Sequence, residues 1–191
     1  MKVIYDDLFA DAFEGHVATE SDCPEQPGRF CGIRDVLAQF DGEPVDFCVD
    51  GKVRNALRGT HNEEYIRTIK ESEDLGRNGH SHLQDGETYV TGGSFVTAKR
   101  AVAATIKAAD IAQKGGNAFA VVRPPGHHAH RDKGHGFCLF NSVGVATEYL
   151  ARRYKHNRVL IVDIDIHFGD GTYEIVSTSD VKDKLHYFSI N

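Results

Sequence analysis

The stretch that decides the fold reads Ala120-Val121-Val122-Arg123-Pro124-Pro125-Gly126-His127-His128. It resumes as Ile161-Val162-Asp163-Ile164-Asp165-Ile166-His167-Phe168-Gly169-Asp170-Gly171-Thr172. Each half is an apolar, β-type run ending in a burst of His and Asp, and such groups are costly to bury unless a metal or mutual pairing compensates them. Residues two apart on a strand share a face. Asp163, Asp165 and His167 are therefore expected to project together from the carboxyl end of a central strand over Arg158–Ile166. Open α/β sheets bind their ligands at that end. An Asp and a His at this spacing can give one oxygen and one nitrogen to a zinc ion. His127 and His128 point apart on an extended chain, but a turn at Pro124-Pro125-Gly126 lets both approach one site. Imidazoles oriented by aspartates supply a general base and an electrostatic or general-acid partner beside a metal-activated water.

Working outward, Gly134-His135-Gly136-Phe137-Cys138 reads either as a wall where backbone comes close to a slender substrate or as a flexible loop with an anchoring Phe. Strands are expected at Lys2–Tyr5, Val45–Val49 (closed by Asp50-Gly51), Ala118–Val122 and Leu185–Ile190. Helical spacing marks Arg29–Phe40 (ended by Asp41-Gly42), His61–Leu75, Ser94–Lys114 and Asn141–Tyr154, with a short helix from Thr172. Ser94 is the expected N-cap of the longest helix, whose Val96, Ala101, Val102, Thr105, Ile106 and Ala109 point to the core. Glu14–Gly28 and Gly76–Gly93 read as loops, and His80-Ser81-His82 in the second as solvated. Strands alternating with helices predict an α/β fold, a parallel sheet flanked by helices.

The 191 residues suit one domain, and 40% hydrophobic with 26% charged residues is ordinary globular composition. A net charge of −6 argues against a general nucleic-acid or anionic-membrane binder. Cys23, Cys31, Cys48 and Cys138 form no Cys-x-x-Cys pair, so neither a zinc knuckle nor a disulfide framework is signalled. With no signal-peptide-like start and no apolar run near the ~20 residues that span a bilayer, a cytoplasmic protein is expected.

Arg123-Pro-Pro-Gly-His-His-Ala129, Gly136-Phe-Cys-Leu-Phe-Asn141 and Val162-Asp-Ile-Asp-Ile-His-Phe-Gly-Asp-Gly-Thr172, in that order and at those intervals, resemble the histone deacetylase family. That family includes acetylpolyamine amidohydrolases and acetoin-utilisation-type proteins. Cys23-Pro-Glu-Gln-Pro-Gly-Arg-Phe30 resembles its His-Pro-Glu-x-Pro-x-Arg-Leu motif with Cys23 for His, and Phe168 stands where a second His is frequent. The resemblance implies a three-layer α/β/α fold of arginase/deacetylase type and zinc-dependent hydrolysis of an acetylated amine, acetyl-lysine or acetylpolyamine, to amine and acetate. It implies Asp165 and His167 as ligands of Zn2+ or another divalent metal, His127 paired with Asp163, and His128 as general base paired with Asp170. Gly136 and Phe137 would line the acyl-lysine channel, and Ser189 and Ile190 would belong to a structural K+ site near Asp163, Asp165 and His167. The family's third zinc ligand and its transition-state Tyr lie further along than Asn191. Residues 1–191 are accordingly expected to be the N-terminal portion of one such domain, its C-terminal portion absent. A truncated or pseudo-enzyme subunit serving as a binding scaffold is the alternative. A binuclear manganese ureohydrolase fits less well, since it needs more bridging aspartates than Asp165 alone.

Overall fold

A computed structural model describes the chain apart from residues 12–13, 18–22, 38–42, 45, 77–78 and 155–157. In chain order it contains β1 (Lys2–Ile4), α1 (Arg29–Leu37), β2 (Glu43–Pro44), α2 (Gly51–Thr60), α3 (Glu63–Glu71), β3 (His80–His82) and β4 (Tyr89–Thr91). After these come α4 (Ser94–Gln113), β5 (Ala118–Ala120), α5 (Ser142–Arg153), β6 (Val159–Asp163), α6 (Asp170–Thr178) and β7 (Leu185–Ser189). β2, β1 and β5 form a parallel sheet in that order, and β6 pairs in parallel with β7. The α/β class with parallel strands and flanking helices is as the alternation of patterns demanded.

The main core lies between helices. Val53 and Leu57 of α2, Ile66 and Ile69 of α3, Val102 and Ile106 of α4 and Val145 of α5 close on Leu139 and Phe140. The small side chains Ala98, Ala101 and Ala104 are also buried on α4. Val96, expected toward this core, is exposed on the outer side of α4. A second cluster joins Val3, Phe9, Phe30, Ala101 and Val121, and a third sets Ile161 and Leu185 against Ala151 and Val176.

Four local expectations change. Asp50 does not close a strand: its carboxylate accepts the Val53 N–H at 3.0 Å and opens α2. Residues 46–50 are irregular, and the strand in this region is Glu43–Pro44. An Asp-Gly pair suits a turn and a helix start alike, and the buried Val53/Leu57 pair decides for the helix. Gly76–Gly93 is not one long loop, because β3 and β4 make an antiparallel hairpin with His80 opposite Thr91 and Leu83 N–H donating to Thr88 O at 2.8 Å. His80 and His82 are exposed on it.

Ser94 is not an N-cap but the first helical residue. It lies buried, with its Oγ accepting the Thr91 N–H at 2.7 Å and sitting 2.6 Å from His16 Nδ1. Lastly, β6 ends at Asp163 and, among the described residues, pairs only with β7. Along β6 and β7 alternate residues pack inward, while Leu160, Val162 and Phe188 are exposed on the other face. Residues 38–42, the expected end of the first helix, and Val45 lie outside the described residues. No helix among the described residues is long and apolar enough to cross a membrane.

Candidate active site

Two fixed ends deliver the histidines. Arg123 is buried with Glu25, its Nε donating to Oε1 at 2.7 Å and its Nη2 to Oε2 at 2.5 Å, which ties the segment before His127 to the N-terminal region. Beyond the histidines, Asn141 caps α5 through its Oδ1, which accepts the Gly144 N–H at 2.9 Å. Its Nδ2 donates to Ala129 O at 3.1 Å. Between these anchors the rings of His127 and His128 stand 4.0 Å apart, centroid to centroid.

Each imidazole meets its own carboxylate. His127 Nδ1 is 3.1 Å from Asp163 Oδ2, at the end of β6. His128 Nδ1 is 2.7 Å from Asp170 Oδ1, in the first turn of α6. Asp163 also accepts the Tyr187 hydroxyl at 2.9 Å and the Asp165 N–H at 3.1 Å. Burial opposes ionisation of Asp163, but the Asp165 N–H, the Tyr187 hydroxyl and His127 outweigh it and hold the carboxyl below its usual range. Burial and the bond to Asp163 push the Tyr187 phenol up to about 12, so it stays a donor. Asp170 follows the same balance. Burial raises it, hydrogen bonds from His128 and His130 and the charge of His135 lower it more, and it lies well below the ordinary carboxylate value.

Asp163, Asp165 and His167 do not share a strand face, because β6 stops at Asp163 and the following residues bend. Asp165 and His167 converge by another route. The His167 N–H donates to Asp165 Oδ1 at 2.8 Å, and the His167 Nδ1 lies 3.0 Å from the same oxygen. The His167 N–H bond is the main reason the Asp165 carboxyl is lowered. Both side chains are open, 48% and 72% exposed, with the His167 ring 6.0 Å from that of His128. An oxygen and a nitrogen donor meeting at one open point fit a zinc ion as two of the three protein ligands usual in a catalytic site. Among the described residues the three-donor cluster is elsewhere, at His128, His135 and Asp170. Ser189 is the register partner of Asp163, and Ile190 N–H donates to Asp163 O at 3.1 Å.

Gly136 and Phe137 both take positive φ, 55° and 65°. The β3–β4 hairpin holds this turn: Gly136 N–H donates to Asp85 Oδ2 at 3.2 Å, Phe137 N–H to Thr88 Oγ1 at 3.0 Å, and Thr88 Oγ1 to Asp85 Oδ2 at 2.6 Å. A Cβ on Gly136 would lie 2.7 Å from His128 Cδ2. Gly136→Ala is therefore expected to cost about 1–2 kcal/mol from backbone conformation alone, plus the displacement of the His128 ring. Denaturant titration checks it, and an unchanged midpoint would mean that the turn relaxes freely.

Sequence reasoning assigned no role to Asp85, Thr88, His130, His135 or Tyr187. The Asp85-Gly86 dipeptide before Tyr89-Val90-Thr91 is a hairpin signal that could have drawn attention to the first two. His135 lay inside the Gly134–Cys138 stretch without being singled out, and His130 and Tyr187 lacked any local signal. Cys138 is buried and its thiol is pushed up to about 12, chiefly by burial, and among the described residues Cys23, Cys48 and Cys138 form no disulfide.

With the geometry in place, three comparisons converge. A model of the histone deacetylase domain matches residues 23–191. Histone deacetylase 6 of Caenorhabditis elegans is 36% identical over 183 residues, covering 87% of this chain and 19% of that protein. Polyamine deacetylase HDAC10 of Danio rerio is 38% identical over 115 residues, covering 58% and 17%. The crystal structure of the HDA15 HD domain superposes with a TM-score of 0.84 at 30% identity, over 98% of this chain and 52% of that one. The chain thus spans about half or less of the length of these proteins. The shared architecture is the three-layer α/β/α deacetylase fold, and the chain belongs to the histone deacetylase family.

Proposed function

We propose that this protein hydrolyses an acetylated amine, of acetyl-lysine or acetylpolyamine type, to free amine and acetate in a zinc-dependent reaction. One observation carries the reading: two adjacent imidazoles, each with its own carboxylate, stand beside the converging Asp165–His167 pair. A ring that donates Nδ1–H to Asp170 keeps a lone pair on Nε2, so His128 is set to take a proton there. It accepts that proton from the attacking water and returns it to the amine nitrogen as the C–N bond breaks, the reuse expected of a general base turned acid. His127, held by Asp163, stands beside His128 as the electrostatic or general-acid partner. Zinc held by Asp165 and His167 would supply Lewis-acid polarisation and a more acidic water. Gly136 and Phe137 form the wall that receives the aliphatic arm of the substrate. A monovalent cation is placed by the same reading beside Asp163 and Ser189.

The test is acetate release from acetyl-lysine peptides and acetylpolyamines, with and without a chelator. Chelator-sensitive release on at least one class supports the reading, and none on any acyl-amine ends it. The presence of two donors at Asp165–His167 favours a second reading, a non-catalytic scaffold that binds the acylated amine without turnover. Zinc titration paired with the assay separates the two: a tight zinc site lost in Asp165→Asn/His167→Asn and accompanied by turnover in the wild type excludes the scaffold.

A further inference from the structure

Asp170 has more partners than one base requires. While Oδ1 accepts from His128, Oδ2 lies 2.9 Å from His135 Nε2 and 3.0 Å from His130 Nε2. His130 turns its other nitrogen to Glu174 Oε2 at 2.9 Å and so sits between two carboxylates, which steadies Asp170 from the α6 side. His135 approaches from the opposite flank. Its ring is partly exposed and lines a cavity of about 430 Å3 that Asp85, Asp132 and Asp170 also border. The cavity's three carboxylates outnumber the one lining cation, Lys133, and a net acidic approach draws cations inward.

We propose that His128, His135 and Asp170 form a binding site for a divalent transition-metal ion of the zinc type, distinct from Asp165 and His167, whose occupancy disables His128 as a base. One donor atom from each of the three residues lies within 4.8 Å of the other two. Two imidazole nitrogens and a carboxylate oxygen are zinc donors, with bonds of about 2.0–2.2 Å, and a triangle this tight closes on such an ion through small side-chain rotations. Glu174, through His130, orients the ligating carboxylate as outer partners do in metal sites.

The consequence for His128 follows from its tautomers. Nδ1, the nitrogen facing Asp170, must give up its proton to bind a metal. The neutral ring then carries its proton on Nε2, and the lone pair that takes a proton from water is gone. The metal site stands independently of the deacetylase reading, and only the loss of base function rests on it.

The experiment titrates Zn2+ into the whole protein by calorimetry, with Co2+ absorption as a second readout of nitrogen and oxygen ligation. It compares wild type, Asp165→Asn/His167→Asn, and that double variant carrying His135→Ala or His135→Gln, each checked for folding by circular dichroism. The double variant is expected to keep one zinc site, and either change at His135 to weaken it at least about 100-fold, more than loss of an outer partner costs. The proposal is overturned if Asp165→Asn/His167→Asn abolishes all binding, or if both His135 variants bind as tightly as their parent. Absence of acetate release by the wild type would remove the deacetylase reading and leave these affinities untouched.

Discussion

His128→Ala is expected to lower kcat for acetate release by about 10²–10⁴-fold, the usual worth of a positioned general base. KM should move little, because the role proposed for the ring is proton transfer and not holding the aliphatic arm. Asp170→Asn is expected to approach the same loss by a different route. The Asp170 carboxylate accepts from His128 Nδ1 at 2.7 Å and fixes the proton on that nitrogen. An amide there can present N–H instead, which selects the tautomer with no lone pair on Nε2. Steady-state kinetics on an acetyl-lysine peptide, with circular dichroism to confirm folding, decide the matter. Activity of the alanine variant within threefold of wild type would remove His128 from the mechanism.

The second large effect is on stability. Arg123→Met strips both guanidinium bonds from Glu25 in a place where each side chain is only 3% exposed. It also removes the donor to Phe9 O at 3.2 Å. Breaking one partner of a buried pair leaves an uncompensated charge, at about 3–5 kcal/mol. The Tyr89 hydroxyl, 2.8 Å from Glu25 Oε2, offsets only part of that. For a chain of this size the midpoint of thermal unfolding should fall on the order of 10 °C. Arg123→Met combined with Glu25→Leu should recover much of the loss, since two apolar groups leave no charge behind. A double variant as unstable as the single one would mean that lost packing, and not the stranded carboxylate, sets the cost. Because Arg123 leads into Pro124–His128, the single variant should also lose activity before it unfolds.

Where the sequence misled, it did so because a local signal had two meanings. Asp50-Gly51 fits a turn and a helix start, and only burial of Val53 and Leu57 against α4 and α5 separates them. The run through Ile166 is rich in β-branched residues, yet the strand ends at Asp163, whose carboxylate gathers the Tyr187 hydroxyl, His127 and the Asp165 N–H as the chain bends away. The hairpin over 80–91 was hidden by its polar, His-rich composition.

By itself the sequence determined the α/β class, the longest helix, the apolar strand leading to the Asp and His cluster, and the family. All of these are written in short-range periodicity and in motifs whose residues are neighbours along the chain. Only the tertiary structure decided which groups face each other. Glu25 meets Arg123 across 98 positions and His128 meets Asp170 across 42. Tyr187 reaches Asp163 from the neighbouring strand, and His130 and His135 gather on one carboxylate. The physical reason is that a hydrogen bond or an ion pair depends on separation in space over a few ångströms. No spacing in the chain encodes that separation until the helices and strands have packed.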